Sequence, residues 1–160
     1  MATYTRPASV DSSAVGWYDE TTNIIRMNTA LGISEVMENV TLNTSTSGTI
    51  NFDVNTQGVI YLTDSATANR TINFRADSLN TLNSIMANGE STSVTILMTN
   101  GTTAYYLNTY QVDGSAITPK WSGGSAPSGG NTSSVDIYTF SIVKKDSADF
   151  TVFGAQSQFA

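Results

Sequence analysis

The stretch from Thr49 to Val54, TINFDV, alternates polar and apolar residues at every position. A period of two places Ile50, Phe52 and Val54 on one face of a β-strand, because successive side chains of a strand point to opposite sides. Similar short segments recur along the chain, and Gly, Asn, Asp and Ser separate them. The pattern therefore predicts a chain built mainly of β-strands.

The same reasoning predicts further strands on both sides of this stretch. They cover residues 16–19 and 24–27 with a turn at 20–23, then 33–42, 58–63, 71–75, 93–99, 103–107, 117–121, 135–143 and 150–153. The apolar residues of 33–42 also fit the period of a short helical turn. Asn100-Gly101 favours a type I′ hairpin between 93–99 and 103–107, since both positions tolerate positive φ. Pro119 has no N–H to donate to a central ladder, so its segment is expected to lie at a sheet edge or to leave the sheet.

One segment breaks the strand pattern. Leu79, Leu82, Ile85 and Met86 follow the 3.6-residue period of an amphipathic helix. Asp77 or Ser78 would cap its start, and Gly89 would end it in the left-handed conformation. One short helix is therefore predicted near residues 78–88, where it would plug one open end of the strand assembly.

These elements define the expected fold and domains. Many short strands and one helix indicate an all-β protein with mainly antiparallel sheets, either a β-sandwich or a jelly-roll-like fold. Residues 1–14 are polar and are expected to form an N-terminal arm, whereas residues 15–160 are expected to form a single β-sandwich domain.

Composition excludes several classes of function. The 160 residues contain no histidine and no cysteine, which removes disulfides, the usual zinc sites and the commonest general base. A net charge of −6 disfavours binding to nucleic acid, since like charges repel. No apolar run approaches the roughly 20 residues of a membrane helix, and the polar N-terminus does not resemble a secretory signal. We expect synthesis in the cytoplasm and no membrane insertion.

Candidates for catalysis and cofactor binding are weak. Asp19/Glu20 and Glu35/Glu38 are the nearest carboxylate pairs for glycoside hydrolysis, but acids in turns and on solvent faces explain them as well. Residues 11–13 and 146–149 offer oxygen ligands without the spacing of a known calcium loop. The sequence therefore predicts no enzyme, no cofactor and no metal.

Aromatic side chains are the remaining candidates for binding, because flat rings stack on sugars and on partner proteins. Trp121, Tyr105 and Tyr106 are the predicted contact residues, together with a surface loop at 122–130 that is rich in Gly and Ser. Arg6 lies in the N-terminal arm, which is the candidate for reaching a neighbouring subunit. Packing of Trp121 in the core or at a sheet edge is the alternative.

Several motifs together suggest a family. They are residues 16–19 (GWYD), 25–28 (IRMN), 31–39 (LGISEVMEN), 118–121 (TPKW), 136–138 (DIY) and 156–159 (QSQF). In this order they resemble a β module of structural and tail-fibre-like proteins of marine tailed phages, particularly cyanophages. The resemblance spans nearly the whole chain and implies a particle component without catalytic residues. The chain departs from a long fibre, because it has no heptad shaft and no collagen-like repeat.

The resemblance implies a virion protein displayed on the particle surface, as a capsid decoration or as part of a tail appendage. Such a protein would bind other virion proteins and other copies of itself in a symmetric homo-oligomer, with a trimer as one option. The alternative is a receptor-binding tail-fibre module that recognises a host surface glycan. A polysaccharide-degrading enzyme is the third hypothesis.

Overall fold

A computed structural model describes residues 16–19, 24–27 and 40–159. The chain divides into two units, Met1–Met37 and Glu38–Ala160. Arg6, the proposed arm and the predicted domain boundary after residue 14 all lie outside the described residues.

In the first unit, strand β1 (Gly16–Asp19) pairs antiparallel with strand β2 (Ile24–Met27). Gly16 is opposite Met27, and Asp19 is opposite Ile24. This register confirms the pairing of two short strands that the sequence predicts here.

Strands dominate the described part of the second unit. Their bounds are β3 Val40–Asn43, β4 Thr49–Asp53, β5 Val59–Leu62, β6 Arg70–Arg75, β7 Ser91–Thr99, β8 Leu107–Val112, β9 Ser115–Ala116, β10 Lys120–Trp121, β11 Val135–Asp146 and β12 Asp149–Phe159. Among these residues the single α-helix, α1 (Leu82–Ile85), has only four residues. The prediction of a β-rich chain with one short helix is confirmed at this level.

The strands form two mixed sheets. One has six strands in the order β10-β12-β11-β7-β5-β3, and the other has four in the order β4-β6-β8-β9. β3, β5 and β7 are parallel neighbours, as are β4, β6 and β8. The expected predominance of antiparallel pairing is therefore not confirmed.

Winding of the chain explains the parallel pairs. From β3 to β8, successive strands alternate between the two sheets, so each strand in one sheet serves as the crossover between parallel strands in the other. Each of three segments contributes one strand to each sheet: 40–53, 59–75 and 91–112. These segments stack on one another in the manner of solenoid repeats. Consecutive strands in this region therefore do not pair.

The core is built from ladders of equivalent positions in these turns. Ile50, Ile72 and Tyr110 are aligned in the four-stranded sheet. Phe74 of that sheet contacts Phe140 of the six-stranded sheet edge to face, with ring centroids 5.0 Å apart. Both sheets thus contribute to one hydrophobic cluster, which stabilises them together.

The predicted hairpin at Asn100-Gly101 is wrong. β7 already pairs with β5 on one side and β11 on the other, so no edge is free for the following strand. Asn100 is buried, and its side chain binds both the N–H and the carbonyl of Tyr105 at 3.0 Å. The positive φ of a type I′ turn occurs instead at Asp113 and Gly114, between β8 and β9.

The helix is much shorter than its apolar period predicts. Asp77 accepts hydrogen bonds from the N–H groups of Leu79 and Asn80, both at 2.8 Å, and so caps its own local turn instead of the helix. Thr81 is the residue that caps α1, by accepting from the N–H of Ser84. Leu79 is 91% exposed, whereas Leu82 is buried in the core. Only some of the four apolar residues in the predicted helix stripe are therefore buried in the interior.

Two other predictions are confirmed near the C-terminus. β11 and β12 form a long antiparallel hairpin, with Val135 opposite Phe159. β10 lies at an edge of the six-stranded sheet, as Pro119 predicts. Ser122–Gly124 then forms one 3-10 turn at the start of the predicted surface loop.

Candidate interaction surface

The residues that do not face the core form two outer faces of different character. We call the outer face of the six-stranded sheet the apolar face. Its larger apolar side chains are Val40, Leu42, Val59, Tyr61, Leu97, Val135, Ile137, Phe153 and Phe159. We call the outer face of the four-stranded sheet the polar face, and its aligned residues are Thr49, Asn51, Thr71, Asn73, Thr109 and Gln111.

Strand register aligns the apolar face across the sheet. Leu42 is level with Tyr61, Tyr61 with Leu97, and Leu97 with Ile137, so one continuous row crosses four strands. Cross-strand neighbours of this kind lie about 5 Å apart and contact each other. Leu42, at one end of the row, is 69% exposed, and Phe153 on β12 is 47% exposed. Tyr61, Leu97 and Ile137 are partly buried, so the row is a partly exposed apolar strip whose most exposed member is Leu42.

On the polar face, side chains form hydrogen bonds with one another. The side-chain amide of Asn73 donates to the side-chain oxygen of Asn51 at 3.0 Å. Arg75 pairs with Asp53 at 2.5 Å, and this hydrogen bond raises the pKa of Arg75. These four side chains already have partners within the chain, which makes the apolar face the better candidate for binding.

A cavity of about 700 Å³ opens at the β10 side of the apolar face. Trp121, Lys120 and Phe153 line it, together with residues of β7, β11 and β12 that include Val94 and Phe140. Lys120 Nζ lies 6.0 Å from the centre of the Phe153 ring, which places a cation beside an exposed aromatic surface. The volume of the cavity is in the range of small-molecule sites.

Trp121 is half-buried at the edge of the core. Its ring packs edge to face on Tyr110 at 5.3 Å and on Phe140 at 5.7 Å. A Cβ at Gly154 would lie only 2.8 Å from the Trp121 ring, so glycine leaves the space that the indole occupies. The indole therefore packs in the core edge and also lines the cavity.

The other predicted contact residues lie elsewhere. Tyr105 and Tyr106 fall between β7 and β8, not in a strand, and both pack partly buried against the core. Tyr105 lines a separate cavity of about 250 Å³. The structure therefore does not bring Tyr105 and Trp121 into one site.

The 122–130 loop is anchored at its C-terminal end. The carbonyl of Gly129 accepts a hydrogen bond from Gln156 Nε2 at 3.0 Å. A Cβ at Gly130 would lie 2.2 Å from the carbonyl oxygen of Tyr105 and 2.6 Å from Asp136 Oδ2. Only glycine fits at position 130 without displacing backbone.

Asp136 is a fully buried acid below this anchor. Its Oδ2 accepts from Asn100 Nδ2 and from the N–H of Asn131, both at 3.1 Å, while Oδ1 has no partner within the described residues. Burial raises the pKa of Asp136, and these hydrogen bonds offset the effect in part. The arrangement stabilises the loop through hydrogen bonds to one carboxyl oxygen.

The described residues give no structural support to the candidate catalytic and metal-binding sites. In the portion of the chain covered by the structure, no group of three or more acidic side chains is placed to hold a metal. No helix there is long and apolar enough to cross a membrane. The side chains of Asp19/Glu20 and Glu35/Glu38 lie outside the described residues.

Sequence reasoning missed the apolar face. A signal was present in β11, VDIYTFSIV, where Val135, Ile137 and Val143 are apolar on the face opposite Tyr138 and Phe140. A strand that is apolar on both faces is typical of a sheet covered on both sides.

Comparison of the chain with protein-family models, with curated proteins and with solved structures finds no match.

Proposed function

We propose that this chain is a structural protein of a tailed-phage particle, displayed on the virion surface, that works by binding neighbouring particle proteins through the apolar face. The single observation that carries the binding role is the partly exposed apolar row from Leu42 to Ile137 on the outer face of the sheet. The phage setting rests on the sequence resemblance. In this proposal the fold is a β-sandwich in which the chain winds between sheets, with the apolar face available on one side.

The dimensions of the apolar face suit repeated, modest contacts. Five strands spaced about 4.8 Å apart span roughly 19 Å, and the stretch from Ser93 to Thr99 advances about 20 Å. Such a footprint is smaller than the roughly 800 Å² per partner of a standard interface. A symmetric arrangement of many copies compensates for the small area of each contact, because several contacts form at once.

The proposed protein is not an enzyme and needs no cofactor. It is made in the bacterial cytoplasm and assembles into the virion, either on the capsid or in a tail appendage. Its partners are other virion proteins and further copies of the chain. The absence of His and Cys from the sequence supports this assignment, since it removes the commonest catalytic groups.

A matched pair of variants tests the binding role. Ile137→Lys places a charge in the middle of the apolar row, whereas Thr109→Lys places the same charge on the polar face. In phage that carry these alleles, we expect Ile137→Lys to abolish incorporation into particles and Thr109→Lys to preserve it. Both purified variants must first show the wild-type circular dichroism spectrum. Equal incorporation of the two folded variants would contradict the proposal.

The cavity favours a second candidate function, recognition of a host glycan. Phe153 offers an exposed ring for stacking on a sugar, and Lys120 adds a positive charge that suits an acidic sugar. Glycan-array binding by the purified chain, lost on Phe153→Ser and Lys120→Ala but kept on Tyr105→Ser, would support this function. Failure to bind any acidic glycan would reject it.

A further inference from the structure

We call residues 40–112, where the chain alternates between the two sheets, the wound region. Within residues 40–159, its first turn leaves two sheet edges without a partner strand. β3 is the last strand of the six-stranded sheet, and β4 is the first strand of the four-stranded sheet. Both belong to residues 40–53, so the two edges lie at the same end of the wound region. Within residues 40–159, no strand pairs with the outer side of either one.

Backbone groups of β3 point toward this open side. The carbonyl of Asn43 accepts from the N–H of Thr63, on the side of β5. Since successive residues of a strand direct their N–H and C=O to opposite sides, the N–H and C=O of Leu42 point outward. Within residues 40–159, these groups have no partner strand.

Both edge strands are short, which limits pairing, but neither carries the other features that usually block it. β3 (VTLN) and β4 (TINFD) contain no proline, lysine or bulge. β3 has no charged residue, and the one acid of β4, Asp53, is already paired with Arg75. A second chain of the same negative charge meets no unpaired charge on either strand.

We propose that this open end binds the same end of a second copy, with β3 of each copy pairing antiparallel across a two-fold axis. An axis perpendicular to the sheets brings β3 next to its equivalent and β4 next to its equivalent, so one contact satisfies both edges. Antiparallel partners share a face, so Leu42 falls opposite Val40 or Leu42 of the second copy. The two apolar rows then join into one face of twice the width.

This inference builds on the proposed assembly role, because it names the second copy as one partner and enlarges the surface that other particle proteins would bind. The trimer that the resemblance suggests is not required by this contact. Two-fold pairing predicts an even number of copies. Two-fold pairing is compatible with a three-fold axis only in an assembly that contains both two-fold and three-fold axes.

Cysteine cross-linking tests the contact cleanly, since the chain has no cysteine of its own. Cα atoms of antiparallel neighbours lie about 4.5–5.5 Å apart, within the range that a disulfide spans. With the axis at Thr41 or at Leu42, we expect Thr41→Cys or Leu42→Cys to form a covalent dimer under mild oxidation, at least about tenfold faster than Leu79→Cys. Leu79 is the control because it is 91% exposed and belongs to neither edge strand.

Sedimentation of the wild-type chain completes the test. We expect a mass that is an even multiple of 17.0 kDa, and a monomer for Leu42→Pro, which removes the outward N–H. A monomeric wild type, or cross-linking of both edge variants no faster than that of Leu79→Cys, would overturn the inference. A monomer that still enters particles would leave the proposed function intact, whereas a dimer absent from particles would reject the function alone.

Discussion

The ammonium group of Lys144 donates a hydrogen bond to the carbonyl oxygen of Met86 at 2.7 Å, from a side chain that is 6% exposed. The same Nζ donates to the carbonyl of Asn83 at 2.6 Å. These carbonyls lie at the C-terminal end of the four-residue helix, which has too few internal bonds to satisfy them. A distant strand thus caps the helix.

Replacement of Lys144 by Met keeps the length of the side chain and removes both hydrogen bonds. We expect a loss of about 2–3 kcal/mol in the free energy of unfolding, because two carbonyls lose a charged donor. Lys145→Met is the matched control, since Lys145 is exposed and pairs only with Asp149 at 3.0 Å. That change should cost less than about 1 kcal/mol. Equal losses in urea unfolding would contradict the capping role.

Asp113 holds the other end of this helix. Its two carboxylate oxygens accept from the N–H groups of Leu82 at 2.7 Å and Asn83 at 3.0 Å. Asp113→Asn tolerates the positive φ at this position but removes one acceptor. We expect a loss of about 1 kcal/mol in thermal or urea unfolding. An unchanged midpoint would show that these contacts do not stabilise the helix.

Adjacent glycines in the 122–130 loop should respond very differently to alanine. At Gly130 the added methyl group meets the carbonyl of Tyr105, whereas at Gly129 nothing lies within 4 Å. Gly130→Ala should therefore cost about 2 kcal/mol or more, and Gly129→Ala less than about 0.5 kcal/mol. Similar melting temperatures for the two variants would mean that the loop is not anchored at residue 130.

Asp136 should make stability depend on pH in a characteristic direction. Burial raises the pKa of Asp136 above its ordinary value of 3.8, so the folded chain holds this proton more tightly than the unfolded chain does. The contribution is fully present below the ordinary pKa and is lost as pH rises through the raised pKa. Relative to Asp136→Asn, the wild type should therefore lose stability from about pH 4 upward.

Asp146 supplies the opposite case on the same strand. The N–H of Ser147, followed by the side chain of Asn88, lowers the pKa of Asp146. Its contribution should be present above the ordinary pKa and lost as pH falls through the lowered one. Unfolding curves of Asp136→Asn and Asp146→Asn that differ from wild type in the same direction with pH would refute this assignment.

Local sequence patterns predicted the strands well where alternation was strict, as in β4 and β6. They failed for the partner of β7, because the Asn100-Gly101 signal describes a turn but not which strand edges remain free. They overestimated the helix, since Asp77 forms its own turn with Leu79 and Asn80 before α1 begins. Pairing and capping depend on residues far away in the chain, such as Lys144.

The candidate surface was less predictable than the fold. Tyr105 and Tyr106 were predicted on a strand and Trp121 beside the glycine-rich loop, yet each is partly buried against the core. Exposure of Leu42 depends on β3 being an edge strand, which only the strand order reveals.

Immunogold electron microscopy of purified particles tests the central claim most directly. The phage would be one that encodes this chain, with an antibody raised against the folded protein. The account predicts labels at regular, symmetry-related positions on the particle surface, and loss of these labels in the Ile137→Lys allele but not in Thr109→Lys. Purified particles that carry no label, while the free protein accumulates in the lysate, would contradict it.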